Sequence, residues 1–290
     1  MHNPSPPNFL ALNQASYNRS TRDHWDHFAA HRRQVSSMVV PGDLAAKGTL
    51  CVLGAGNCND LELPQLLTAF DRVTLVDIDA AALDAAAKRQ EVADHARLDL
   101  RGGVDLTGVS AMMAGWLKRP PAPGEVERCL RTLSTSSRPA IGGPFDVILS
   151  PCLLSQICLY ATDALGRSHP RTRDLRQAIR QQHLRQLVEC LSPGGTGILV
   201  IDLVKTDKLG SLLETHHDRL GEVASRSVGH ARHFPGLDPE SLTQELQSDP
   251  LLQGLVKDVQ RVPPWLWALG PHKSFLVYAL RFRRSHAPLL

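Results

Sequence analysis

Charge of one sign is scarce in this sequence: 32 Lys and Arg stand against 29 Asp and Glu, a net of +3 over 290 residues. So even a balance offers no general attraction for nucleic acid or for an anionic membrane surface. Long apolar runs are missing too, and no segment approaches the roughly 20 residues of a membrane-spanning helix. Residues 1–7, with three prolines, lack the basic-then-apolar pattern of a secretion signal. The six cysteines have no paired spacing, which argues against a disulfide framework and for reduced thiols in a cytoplasm. No internal repeat organises the chain. A metal site is not expected: His24, His27 and His31 form a stripe at helical spacing, but no Cys or acid completes a ligand set there.

What is present is 42% hydrophobic residues, enough to bury one sizeable core, and one stretch around which the rest is arranged. The apolar run Leu50-Cys51-Val52-Leu53 ends in Gly54-Ala55-Gly56-Asn57, followed by Cys58-Asn59-Asp60 and a leucine-rich segment. This reads as a strand, a tight turn and a helix start. Glycines there let the backbone turn sharply and approach a ligand. The next helix presents free N–H groups at the same place. A second strand, residues 72–77, ends in Asp77. That is about 20 residues beyond the glycines, where a nucleoside-binding α/β unit places the acid that holds ribose hydroxyls.

Taken in order, residues 1–15 read as an irregular arm. Residues 21–40 follow a helical period with Trp25, Phe28, Ala29, Val35 and Val39 on one face, and with the three histidines, Arg32 and Arg33 beside it. Pro41-Gly42 ends that helix. It is either a packing helix or a lid whose His and Arg side chains reach the cleft. Helices are expected over residues 60–70, with Pro64 near the start, and 80–91. A strand over 96–106 is broken by Gly102-Gly103. A surface insertion, about 111–144, holds two loops around a short helix. Residues 144–150 read as a fourth strand buried on both faces, 183–191 as an amphipathic helix, and 197–204 as a fifth strand. Arg173, Arg176 and Arg180 share a helical face, which reads as a solvated surface in preference to an anion-binding patch. Helices near 209–220 and 239–247 follow. Strands near 256–262 and 274–281, joined by a loop holding Pro263, Pro264, Trp265 and Trp267, come last.

At the glycine turn and Asp77 the chain resembles the class I S-adenosylmethionine (SAM) dependent methyltransferases. Their motif is Gly-x-Gly-x-Gly, usually with an acid two residues before the first glycine; here Val52 stands at the acidic position and Cys58 at the third glycine. The turn Leu191-Ser192-Pro193-Gly194-Gly195 before the fifth strand also resembles that family. The resemblance implies an α/β fold: a doubly wound, seven-stranded, mostly parallel sheet with helices on both faces, one of the last two strands reversed, and an N-terminal helical extension. It implies an arm and helical lid over residues 1–45 and a SAM-binding domain over 46–290. SAM is the implied cofactor, with Gly54, Ala55, Gly56 and Asn57 under its methionine part and Asp77 on the ribose. Ile78 would face the adenine, Asp105 and Leu106 its edge, and Ser150 and Pro151 the transferred methyl. For Asp105 a plain strand-end turn is the other reading. Tyr17, His27 and Arg32 are candidates on the substrate side, and His31, His24 and Cys152 are candidates for catalysis.

Methyl transfer from a sulfonium is an in-line displacement that asks mainly for proximity, orientation and exclusion of water. A general base helps only where the nucleophile must lose a proton. A small-molecule acceptor is the default, with no nucleic acid and no membrane partner expected. Pro151-Cys152 also matches the strand-four Pro-Cys of cytosine-C5 methyltransferases, whose cysteine attacks the base. The flanking Ser150 and Leu153 fit neither the DNA nor the RNA enzymes. A non-catalytic relative that keeps the fold is a further reading, since the glycine motif departs twice. An NAD-type dehydrogenase would need glycine at position 59, where the chain has Asn59.

Overall fold

The computed structural model describes residues 9–40, 48–135, 141–205, 219–222, 235–269 and 274–286. Seven strands form one sheet: β1 (Thr49–Leu53), β2 (Arg72–Val76), β3 (Leu98–Arg101), β4 (Phe145–Pro151), β5 (Leu191–Lys205), β6 (Val256–Ala268) and β7 (Ser274–Arg284). Their order is β3-β2-β1-β4-β5-β7-β6. The first five run parallel and β7 is antiparallel to both neighbours. This is the doubly wound sheet with one reversed strand that the sequence led us to expect. The chain order turns back between β1 and β4, so a crevice opens beyond the carboxyl ends of these strands.

Alternation along each strand decides what lies on each face. Cys51 and Leu53 join one hydrophobic cluster while Leu50 and Val52 join the other. On β7, Leu276, Tyr278, Leu280 and Phe282 face the first cluster, and Val277 and Ala279 the second. Apolar residues at successive positions therefore fill two cores, one on each side of the sheet. The first is covered by α5 (Ser110–Trp116), α6 (Glu125–Thr135), α7 (Leu153–Leu165), α8 (Thr172–Glu189) and α9 (Pro239–Ser248). The second is covered by α2 (Ala29–Val39), α3 (Leu63–Ala69) and α4 (Ala80–Arg89). Among the described residues no helix is long and apolar enough to cross a membrane.

Several expectations need correction. The supposed irregular arm contains a helix, α1 (Phe9–Thr21). The helix expected over 21–40 is interrupted: a short 3-10 turn, Asp26–Phe28, leads into α2. Pro64 sits in the first turn of α3 and shortens it to Leu63–Ala69, because proline has no N–H to donate and fits a helix only at its start. The insertion is not merely superficial, since Met113, Trp116, Cys129 and Leu133 from α5 and α6 belong to the core. The Pro263-Pro264 segment is strand, not loop. It lies on the edge strand β6 at a register shift between Val262 and Trp265, where the ladder needs no proline N–H. Pro41-Gly42 and most of the helix expected at 209–220 lie outside the described residues.

Candidate active site

The glycine turn is built by β1 handing its backbone across to β2. Gly54 and Ala55 both donate to the Val76 carbonyl (2.8 and 3.1 Å), and Gly54 adopts φ +77°. A Cβ at Gly54 would fall 2.8 Å from Leu153, so no side chain fits there. Gly56 donates its N–H to Asp77 Oδ2 at 2.8 Å, and Asp79 donates to Oδ1 at 2.8 Å. Burial raises the Asp77 pKa to about 6, against the opposing effect of these backbone donors. Its carboxylate keeps lone-pair capacity for another donor.

Gly54, Asp77, Ile78, Asp105, Leu106 and Thr107 line one cleft at the carboxyl ends of β1 and β2, together with Leu153, Gln156 and Ile157 of α7. Gln14 of α1 closes it from above, donating to Gln156 Oε1 at 2.7 Å. The enclosed volume is about 50 Å³, well short of the roughly 300–1,000 Å³ of an open ligand pocket. Asp105 has little to offer a ligand. Its Oδ1 accepts from Thr107 N and Oγ1 (2.9 and 2.7 Å), and its Oδ2 from Ser110 N and Oγ (3.1 and 2.6 Å). The strand-end turn reading of Asp105 describes these bonds.

The rest of the glycine loop is occupied by α1. Asn57 Nδ2 donates to the Asn18 carbonyl (2.6 Å) and to Thr21 Oγ1 (3.2 Å), and Asn59 Nδ2 to the Thr21 carbonyl (2.7 Å). Asn18 Nδ2 donates to Asp79 Oδ2 at 3.0 Å, and its Oδ1 would lie 3.2 Å from a Cβ on Gly56. Ala55, Gly56 and Asn57 therefore do not line the cleft. The two departures from the motif are both buried. Val52 is a core strand residue, and Cys58 holds φ +50°, the left-handed backbone that a glycine would adopt freely.

The proposed substrate-side residues separate into two groups. His31 and Arg32 do not reach the cleft. His31 is buried; its Nδ1 accepts from Trp265 Nε1 at 3.0 Å and its ring stacks on Trp267 at 4.5 Å. Burial, and then Arg32, lower its pKa to about 3, so it takes no proton near neutral pH. Arg32 bonds Glu62 (2.5 Å) and the Trp25 and Asn59 carbonyls (2.9 Å each), with its guanidinium 3.5 Å over Trp25. Both are structural. His24 and His27 pack edge to face in the connection between α1 and α2. Ser150 and His183 form a buried pair at 2.9 Å, and neither lines the cleft.

The second group contains a residue that sequence reading missed. Cys152 has left-handed backbone at the start of α7. Ser155 Oγ stands between the Cys152 carbonyl (2.9 Å) and Asp202 Oδ1. Burial lifts Asp202 to about 7, and it pushes the Cys152 thiol well above its ordinary value, with Asp202 adding to the effect. Tyr17 of α1 lies near these groups: it is 37% exposed, and partial desolvation, then Asp202 and Cys152, raise its pKa to about 12. Asp60, after the glycine loop, is likewise lifted to about 7 by burial. The only sequence signal for Asp202 was a lone acid inside an apolar strand.

No protein-family model and no curated protein matches the chain. Many solved structures resemble its fold, three methyltransferases among them. Magnesium protoporphyrin IX methyltransferase from Synechocystis PCC 6803, solved with bound S-adenosylhomocysteine (SAH), is 12% identical over 94% of this chain and 99% of its own, with a TM-score of 0.49. The Burkholderia thailandensis 1,6-didemethyltoxoflavin-N1-methyltransferase is 14% identical over 98% and 93%, with a TM-score of 0.48. The N-methyltransferase NodS from Bradyrhizobium japonicum WM9 is 14% identical over 89% and 87%, with a TM-score of 0.46. Likeness at this level says nothing about activity; the functional reading has to stand on the sheet order and the cleft.

Proposed function

We propose that this chain is a class I SAM-dependent methyltransferase acting on a small-molecule acceptor. The observation that carries this reading is the convergence of Gly54, Asp77 and Ile78 in one cleft at the carboxyl ends of a sheet ordered β3-β2-β1-β4-β5-β7-β6. The adenosyl half of SAM fits these residues. Asp77 keeps acceptor positions for the ribose hydroxyls, and Ile78 and Leu106 offer apolar surface to the adenine. The methionine half would need the ground now held by Asn18, so α1 has to give way when the cofactor enters. SAM, when bound, supplies a methyl group already activated by its sulfonium.

The chain's own residues would bind, orient and shield the reactants. Tyr17 on α1, with Ser155 and Asp202 beneath it, are the polar groups available to an acceptor. Cys152 is a poor nucleophile, because a buried thiol with a raised pKa is not a thiolate at neutral pH. That weighs against the cytosine-C5 reading. Asn59 is committed to Thr21, which gives a dehydrogenase's dinucleotide no glycine at that turn. A relative that binds SAM without catalysis is the second reading, favoured by the latch of Asn18 on the glycine loop.

Thermal unfolding with SAM, SAH and NAD tests the proposal. SAM and SAH are expected to raise the midpoint and NAD to leave it unchanged. A shift with NAD alone would refute it. Methyl loss from SAM in the presence of candidate acceptors separates an enzyme from a mere binder.

A further inference from the structure

We propose that the groove between α8 and α9 is a second binding site, for a small polar ligand carrying a phosphate or diphosphate. Arg173, Arg176 and Arg180 lie on one face of α8, three and four residues apart in turn. Opposite them α9 presents Gln244, Glu245 and Ser248, and Gly236 closes one end of a groove of about 660 Å³. No residue of this groove lines the cleft below α1.

The charges here do not balance. Arg180 is buried and forked on Glu245, with Nε at 3.0 and 3.2 Å from the two oxygens and Nη2 at 2.6 Å from Oε1. Gly236, at φ +81°, brings its backbone so close that a Cβ would fall 2.6 Å from the Arg180 guanidinium, which fixes that fork in place. Asp249, the other acid of the groove, is held by Arg185 at 2.9 Å. Arg173 and Arg176 have no acid partner among the described residues. Arg176 Nε is buried without a hydrogen-bond partner. Burial lowers its pKa; Cys158 opposes this, and the charges of Arg180, Arg167 and Arg173 add to it.

Such crowding of like charges is unfavourable unless an anion sits among them. A solvated surface would leave each guanidinium free to turn to water, whereas Arg180 is pinned and Arg176 is half-buried. Guanidinium edges match phosphate oxygens in pairs. A phosphate of about −1.5 to −2 at neutral pH suits the two unpaired arginines better than a single carboxylate does. Among the described residues the remaining walls are amides and hydroxyls, and prolines are the only apolar lining. That suits a polar small molecule and offers nothing to a lipid chain.

Calorimetric titration of pyrophosphate into the full chain at low salt tests this, with inorganic phosphate and phosphatidylserine vesicles as separate arms. Pyrophosphate is expected to bind saturably at one site. Arg173→Ala and Arg176→Ala should each weaken it about tenfold, the size of one charge-assisted contact. Arg176→Lys, which keeps the charge but not the fork, should fall between. Thermal midpoints of all variants should match the wild type, because neither arginine makes a bond the fold uses. Equal affinity in the alanine variants, no saturable binding, or sedimentation with vesicles in place of pyrophosphate binding would each overturn the proposal.

Discussion

The two helices that precede the sheet are attached by opposite kinds of force. The α2 segment is held by apolar and aromatic burial: Phe28, Val35 and Val39 enter the core beside Trp265 and Trp267, with Phe28 and Trp267 rings 4.9 Å apart. The α1 segment is held near the glycine loop largely by amide hydrogen bonds, through Gln14, Asn18 and Thr21. Hydrogen bonds of this kind exchange readily for bonds to water or ligand and contribute about 1 kcal/mol net. Buried aromatic surface has no such substitute. A helix of the first kind is part of the domain, and one of the second kind is, under the proposed function, the one that would yield to a ligand. The sequence left the histidine-bearing helix open between a packing helix and a lid; its contacts are those of a packing helix, and the polar contacts on the glycine loop come from the helix before it.

The sharpest way to break this contrast is to damage the α2 contact. Phe28→Ala removes a nearly buried ring and should cost about 3–5 kcal/mol of global stability in denaturant unfolding. A loss below about 1 kcal/mol would mean that α2 too is only docked.

Next in size is the titration beneath α1. The folded pKa of Asp202, about 7, lies above its ordinary 3.8, so the folded chain holds a proton that the unfolded chain has already released. Its contribution to stability is present at low pH and is lost as pH rises from about 4 to 7. Asp202→Asn should therefore match the wild type near pH 4 and exceed it at pH 8 by on the order of 2–4 kcal/mol. His31 and His183, lowered to about 3 and about 4, work the other way, losing stability as pH falls below 6.5. A stability difference between Asp202→Asn and wild type that is flat across this range would remove the buried acid from the account.

A smaller effect is expected at the latch. Asn18→Ala removes the bond to Asp79, on the order of 1 kcal/mol. Trypsin cleavage after Arg19 and Arg22 should quicken about fivefold with the global midpoint unchanged. An equal rate in both proteins would show that α1 does not depend on this contact. The smallest change belongs to Cys152→Ser, for which folding and any methyl transfer should stay within about twofold. Loss of transfer with folding intact would bring back the nucleophile reading.

Much of the fold was legible because strand patterns are local. The apolar runs at 50–53, 145–150 and 197–204 sit in the centre of the sheet, and the glycine turn meets Asp77 through the Gly56 N–H. What was hidden depends on contacts distant in sequence. The prolines of residues 1–7 masked the helix that follows. At the break between α1 and α2, Trp25 packs its ring on the guanidiniums of Arg32 and Arg89, 3.5 and 4.7 Å away. His31 looked like a proton carrier until its partner Trp265, 234 residues away, was in view. β6 runs on through Pro263 and Pro264 because it is an edge strand with a bulge, a property of the sheet that no local propensity reveals. Asp202 acquires meaning only from Ser155, Cys152 and Tyr17.

The central claim is that the cleft under α1 holds the adenosyl group on Asp77, and calorimetric titration of SAH into the wild type and Asp77→Ala tests it most directly. A buried, charge-assisted contact of this kind contributes about 1.5–3 kcal/mol. The account predicts saturable binding to the wild type and at least about a tenfold loss in the variant. Equal affinity in the two proteins, or no binding to a well-folded wild type, would contradict it.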